Sequence, residues 1–357
     1  MMTTRNSADL ETSNARLAIK VHCCHFWEGM TADVIMERWI APWANVFGSS
    51  VTICDKLADA DLVLIGPFAP KHENVPGTRM PMVPAGGYER VFITGENATP
   101  VMDVCEWALA FDFEPDIGND HYMRYPIYAW SWGGHGDSIL HALVAKAPET
   151  PAERAARRHF CAFIYSNKRA KLRRWLFRTL SLYRRVDAPG RVQNNCLPIG
   201  PTGKAKIDFL KERRFTIAFE NSSAPGYTTE KIVDAMQAGS VPIYWGDPRV
   251  AEQFDERCYI NWHAHEARIC RVLALGNDKL ARSRIVRKLA TPLTLLSVVR
   301  RTIKADRDPA IYEAFFAQSP LTEHTRSYLD ERRIADFWHQ VLKSSETRAR
   351  AKTAAGR

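Results

Sequence analysis

The chain offers no stretch that is both long and apolar enough to span a bilayer; the closest, 293–299, is flanked by arginines. Its first sixteen residues are polar and lack the apolar core of a secretory leader, and they read as disordered. Paired cysteine is also missing. The eight thiols (Cys23, Cys24, Cys54, Cys105, Cys161, Cys196, Cys258 and Cys270) are scattered and form no C-x-x-C motif. A disulfide framework or a zinc site therefore has little support, and buried thiols in a reducing cytosol are the better reading. No internal repeat is visible. Acidic excess is absent too: 49 lysines and arginines face 40 aspartates and glutamates, giving a net charge of +9. That balance favours anionic partners such as phosphates, nucleic acid or an acidic membrane surface.

What is present is an ordinary globular composition, 46% apolar and 25% charged, over 357 residues. This is enough for two domains with a core each. Short apolar runs at 17–21 (LAIKV), 50–54, 60–67 (ADLVLIGP), 90–94 (RVFIT) and 107–112 (WALAFD) read as buried parallel strands. The segment 32–47 has helical periodicity. A Gly-Gly-His-Gly stretch at 133–136 and the Pro/Glu/Ala-rich 148–158 mark a linker. A second series follows: strands at 160–165, 214–219 and 241–245, with helices at 170–183 and 229–238, the latter closed by Gly239.

The expected architecture is α/β of GT-B type, with two Rossmann-like domains facing a central cleft. The expected divisions are 1–16 as a disordered start, 17–150 as an acceptor-side domain and 158–325 as a nucleotide-binding domain. A helix in 326–345 would pack back on the first domain, and 346–357 would form a basic tail, with disorder expected from 343 onward.

The most informative stretch is 214–250, RFTIAFENSSAPGYTTEKIVDAMQAGSVPIYWGDPRV. A strand enters a polar loop, which feeds a helix capped by Thr228 or Thr229, with Glu230 and Lys231 in its first turn. The free N–H groups and dipole of such a turn favour an anion, so a diphosphate site is the natural reading. A lysine there runs against the dipole, and a bound anion would account for it.

The pattern F-E-N-S (219–222), Tyr227 six residues after the asparagine, T-E-K (229–231) and V-P-I-Y-W-G-x-P (241–248) resembles the donor-binding motif of the α-1,3/4-fucosyltransferases, glycosyltransferase family ten. The likeness runs from about 17 to 262 and fades in 130–158. Ser166-Asn167 with Arg173 resembles the family's S-N-x-x-x-x-x-R segment, with Lys168 departing from many members. Asn194-Asn195 resembles its N-N before a variable loop. In the first domain, FITGEN (92–97), WALAFD (107–112) and YMRYPIY (122–128) resemble family segments.

The resemblance implies an inverting α-1,3-fucosyltransferase moving L-fucose from GDP-β-L-fucose to a glycan, at O3 of N-acetylglucosamine. The glycan would be a Lewis-type structure, a chitin-like oligosaccharide or an N-glycan core. It implies Glu96 as the general base. Arg173, Asn221, Tyr227, Glu230 and Lys231 would hold the donor, with Glu220 orienting the fucose. No cofactor or metal is required by that scheme. Many animal enzymes of this chemistry carry an N-terminal apolar anchor; its lack here points to a bacterial protein of the cytoplasm, and the basic C-terminal segments could add weak contact with the inner face of the membrane.

Competing readings are a related glycosyltransferase with another donor sugar or acceptor, a catalytically dead lectin-like relative, and a basic nucleic-acid-binding protein. The last lacks any recognisable motif. Asp59-Ala60-Asp61 spells D-x-D but precedes its strand, so it reads as a helix end and a strand start. His22, His25, His263 and His265 lack a third partner at ligand spacing. The N-x-S/T sequences at Asn97 and Asn221 fall inside the site motifs and read as active-site segments. Trp130 and Trp132 could stack on sugars or fill a core. The segment 281–304 reads as an amphipathic helix with a solvated face; a membrane-surface role is the lesser reading.

Overall fold

The structure is a computed structural model and describes residues 18–130, 138–168, 170–200 and 202–355. The expectations for 1–16, for Gly133–Gly136 and for Trp132 fall outside those residues. The short apolar runs form two parallel sheets. The first contains β1 (Ile19–Cys24), β2 (Val51–Ile53), β3 (Leu62–Ile65), β4 (Glu89–Ile93), β5 (Trp107–Ala110) and β6 (Tyr122–Arg124), in the order β2-β1-β3-β4-β5-β6. The second contains β7 (His159–Ala162), β8 (Val186–Asp187), β9 (Arg213–Phe219), β10 (Val241–Trp245) and β11 (Ile260–Asn261), in the order β11-β10-β9-β7-β8. Every pairing among the described strands is parallel. That requires both faces to be covered, and Leu62–Ile65 and Val91–Ile93 are accordingly buried throughout.

Both sheets point their C-terminal edges at the cleft between them, so the loops after β4 and β9 confront each other. The halves are not loosely hinged. Ile232, Val233 and Met236, on the helix Glu230–Gln237 of the second half, join the same buried cluster as Leu140, Leu143 and Ala129 of the first. Trp130 belongs to that cluster as well, edge-on to Trp39 with ring centroids 4.4 Å apart. It is therefore a core residue and presents no face to a ligand.

Three expectations are corrected. The helix expected over 32–47 is two helices, Ala32–Trp39 and Ala41–Phe47, because Pro42 cannot donate within a continuous helix and starts a new one. The linker segment holds a short helix, Pro151–Ala155, begun by a capping box of Thr150 and Glu153. It is tied down by ion pairs of Arg154 with Glu313 and of Arg157 with Glu149.

The third concerns the C-terminus. The helix Arg332–Ala355 runs through the residues expected to be disordered. It lies against the first sheet, with Trp338, Val341, Leu342, Ser345 and Ala349 buried. Arg348 pairs with Glu89, and Lys352 with Asp61 at 3.1 Å. The basic residues of this segment are thus partly consumed by buried carboxylates of the first domain.

Candidate active site

The second half builds its part of the site at the ends of β7 and β9. Tyr165 follows β7, and its hydroxyl accepts from Phe219 N (2.7 Å) and lies 2.6 Å from Ile217 O. It thereby pins the end of β9, where Glu220 begins the polar loop. The Tyr165 ring in turn carries the Arg173 guanidinium at 4.0 Å. Arg173 comes from the helix Lys171–Ser181 and is buried; it donates to Asn221 Oδ1 at 3.1 Å and to the Asn167 carbonyl at 2.5 Å. Its Nε is buried without a partner. Burial holds its pKa below the usual arginine value.

Glu220 is wholly buried. It accepts from Thr229 N (2.8 Å), from the Thr229 hydroxyl (2.8 Å to Oε2) and from Lys231 Nζ (3.0 Å). Lys231 Nζ also donates to the Thr229 hydroxyl at 2.7 Å. The expected N-cap is therefore modified: Thr229 occupies that position, but its hydroxyl turns to Glu220 and caps nothing. Burial pushes the Glu220 carboxyl up, against the pull of Lys231. Three donors converge on it, which supports the ionised form. Burial works against the Lys231 charge, but Glu220 and Glu230 overcome it and hold the ammonium well above its ordinary range. Glu230 lies 3.6 Å from Lys231 and 3.5 Å from Lys206, which also pairs with Asp234 at 2.5 Å. Burial acts to raise the Glu230 carboxyl, yet the two lysines hold it below the usual range.

The first half contributes the loop after β4. Thr94 fixes it by accepting from Glu96 N at 3.0 Å. Glu96 is open to solvent at the cleft mouth yet flanked by protein on several sides, as befits a carboxylate in a crevice. That partial burial, reinforced by Glu230, raises its carboxyl above the ordinary value, while Lys231 and Tyr227 draw it back. Two contacts cross the cleft here. Tyr227 OH donates to Glu96 Oε2 at 3.4 Å, and Asn97 Nδ2 donates to Ser222 Oγ at 2.8 Å.

Behind these contacts lies a buried hub. Arg124 of β6 donates to Phe111 O (2.8 Å), Gly226 O (3.2 Å) and Gln253 Oε1 (2.9 Å). Gln253 Nε2 then donates to Thr228 Oγ1 at 2.9 Å. Gly226 has φ +79°, and a Cβ there would sit 2.6 Å from Phe111 O. The loop between β9 and the helix Glu230–Gln237 is therefore clamped directly on the first sheet.

The seven residues expected at the site lie close together around this cleft; Arg173, Glu220 and Tyr227 are buried in its walls, and the Glu220 oxygens are occupied. Thr229, Tyr165, Lys206, Ser222, Arg124 and Gln253 were not anticipated. Thr229 was legible only as a cap, and each of the others has a partner 24 or more positions away in sequence. The remaining candidates take local roles. Asn195 bonds Ala188 N and Val186 O. Asp61 accepts from Lys20 N. His22 faces Cys54 O, His263 faces Gly246, and His265 faces Ser297. Among the described residues no group of three or more His, Cys, Asp or Glu side chains is placed to hold a metal ion.

Residues 154–278 match the glycosyltransferase family 10 (fucosyltransferase) C-terminal domain, and residues 86–131 match the alpha-(1,3)-fucosyltransferase FucT N-terminal domain. The chain is 32% identical over 200 residues to alpha-(1,3)-fucosyltransferase FucT of Helicobacter pylori, covering 49% of this chain and 41% of that protein. It is 31% identical over 176 residues to putative fucosyltransferase R654 of Acanthamoeba polyphaga mimivirus, covering 47% and 27%. The matched region thus spans less than half of either relative. A crystal structure of an alpha1,3-fucosyltransferase with GDP-fucose superposes with a TM-score of 0.60 at 20% identity, over 96% of this chain and 94% of that one. A GDP complex gives 0.61 at 21% identity, over 93% and 92%. At such identities the likeness is one of fold, and the fold is GT-B.

Proposed function

We propose that this chain, a member of glycosyltransferase family 10 through its domains at 86–131 and 154–278, is an inverting α-1,3-fucosyltransferase using GDP-β-L-fucose. The acceptor we propose is a glycan bearing N-acetylglucosamine, attacked through its O3. The observation that carries this reading is the meeting of Glu96 from one sheet with Tyr227 and Lys231 from the other. A base and a cationic phosphate site have to stand on opposite sides of the same anomeric carbon.

The chemistry follows as a direct displacement. The acceptor hydroxyl loses its proton to the Glu96 carboxylate as its oxygen bonds to the anomeric carbon. The bond from that carbon to the β-phosphate oxygen breaks on the opposite face, and GDP leaves with the electron pair. A positioned base contributes about 100- to 10,000-fold. Arg173 and Lys231 offset the charge developing on the diphosphate, aided by the uncapped N-terminus of the helix Glu230–Gln237. The unpartnered Nε of Arg173 has hydrogen-bonding capacity left for an anion. Asn221, exposed at the cleft, and Glu230 would take ribose or fucose hydroxyls. Glu220 acts as a positioning residue, holding Lys231 and Thr229 in place.

The test is thermal melting of the full chain with nucleotide sugars, followed by transfer to a panel of glycans. GDP-fucose should raise the melting temperature where UDP-sugars do not, and the product should be an α-fucoside by NMR. Lys231→Ala and Arg173→Ala should each weaken GDP binding by about tenfold or more. Equal stabilisation by UDP-sugars, or unchanged GDP affinity in both variants, would remove the assignment.

A further inference from the structure

The long helix Arg284–Arg307 buries Val286, Ala290, Thr294 and Val298 against the second domain. Its opposite face would be polar in an ordinary surface helix. Instead Ile285, Leu289, Leu293 and Leu296, at spacings of four, four and three, stand exposed there, with Ile285 74% and Leu289 62% accessible. The neighbouring helix Trp262–Leu273 and the turn after it add Val272 and Leu275. Leu275 is 95% exposed and has φ +51°, a left-handed conformation that a leucine adopts at a cost. Among the described residues no packing offsets that cost.

The charge on this surface is as one-sided as its apolarity. Between 268 and 300 the sequence has eight arginines and lysines and a single acid, Asp278. All eight basic residues are exposed. Arg287 pairs with Glu266; the other seven make no ion pair among the described residues. Most of the surface lies beyond the family match, which ends at residue 278.

We infer that this face docks on an anionic lipid bilayer. Aliphatic side chains interleaved with unpaired basic ones suit an interface in which methyl groups enter the acyl boundary while ammonium and guanidinium groups reach lipid phosphates. Nucleic acid would call for exposed aromatic rings on which bases can stack, and no exposed large aromatic occurs between 268 and 300. No described helix is long and apolar enough to cross a membrane, so the contact is peripheral. A cavity of about 280 Å³, bounded by Ser223, Trp245, Arg284, Arg287 and Lys288, joins this face to the donor-side loop. Docking would therefore bring the cleft close to the membrane surface.

The experiment is co-sedimentation of the full chain with phosphatidylcholine vesicles, with and without phosphatidylglycerol, at physiological salt. Binding should require phosphatidylglycerol and weaken as salt rises. The double variant Leu275→Asp/Ile285→Asp and the charge reversal Arg282→Glu/Lys288→Glu should each weaken it about tenfold or more, whereas Val46→Asp on the first domain should not. A cooperative thermal transition without nucleotide, at the parent's melting temperature, checks that each variant is folded. Failure to sediment with acidic vesicles, binding that survives both double variants, or preferential capture by single-stranded RNA would overturn the inference. None of these outcomes bears on fucosyl transfer, so the two proposals fail separately.

Discussion

At the residue scale, Glu96 is the group whose ionisation should control the reaction. A base works only when deprotonated, and partial burial raises this carboxyl above the ordinary glutamate range. Transfer should therefore rise with pH through an acid limb lying above that range. Tyr227→Phe removes a hydrogen bond that favours the carboxylate, so the limb should move to higher pH in a kcat/KM profile. Glu96→Gln should abolish transfer by about 100-fold or more while GDP still raises the melting temperature.

Asp112 makes a second titration prediction, this time in stability. Burial, partly countered by Thr99, pushes its carboxyl up to about 6 from 3.8. The folded state thus holds this proton more tightly than the unfolded chain does. Its contribution is fully present below the unfolded value and is lost as pH rises to about 6. Asp112→Asn should stabilise the protein by on the order of 3 kcal/mol above that pH, and by nothing once the pH is well below the unfolded value of 3.8. Urea melts at the two pH values would show the crossover.

What was legible at this scale was what is contiguous. Thr-Glu-Lys announces itself because a helix start and its charges lie within three residues. The role of Glu220 did not, because its burial is set by Gly246 and Tyr244 on the next strand. Nor did that of Arg124, whose partners lie 13 to 204 positions away.

At the element scale, the close approach of β10 to the end of β9 is what holds Glu220 and Lys231 in register. A Cβ on Gly246 would collide with the Glu220 side chain and come within 2.8 Å of the Tyr244 hydroxyl. Gly246→Ala should displace Glu220, and Lys231 with it, weakening GDP binding by about tenfold or more, or ~1.4 kcal/mol. Isothermal titration with GDP would measure this, and unaltered affinity would mean that Lys231 is held by other contacts.

The strands were readable from the sequence because buried parallel strands are apolar on both faces and end at glycine or a polar loop. The strand at 241–245 kept its bounds, while others shifted by up to three residues, as at β7, where pairing stops at Ala162 although the apolar run continues to Tyr165. The broken helix before β2 was missed because its periodicity carries through Pro42. The brief strands β6, β8 and β11 carry too few residues to show a period.

At the scale of the whole molecule, the C-terminal helix is the element that composition misrepresented. A sequence such as KSSETRARAKTAA looks solvated. Here, however, Ser344 donates to Glu89 at 2.7 Å, Ser49 donates to Glu346 at 2.7 Å, and Arg348 and Lys352 answer Glu89 and Asp61. Removing residues after Leu342 takes away both Ser344 and Arg348 and leaves the Glu89 carboxylate with the Trp107 indole as its remaining partner. A loss on the order of 2–3 kcal/mol is expected, read as a lower melting temperature. The truncated chain should still bind GDP, because the donor residues stand on the other sheet.

That same helix bears on how the protein comes to be made. Its contacts with the first sheet join residues more than 200 positions apart, 255 for Ser344 and Glu89. A ribosome delivers chain from the N-terminus onward, so β1 to β6 emerge long before the helix that covers them. During that interval Trp107, Ile19 and the neighbouring apolar side chains wait uncovered. The first domain to be synthesised is then the last to be finished, and an early stop codon would damage the beginning of the protein rather than its end.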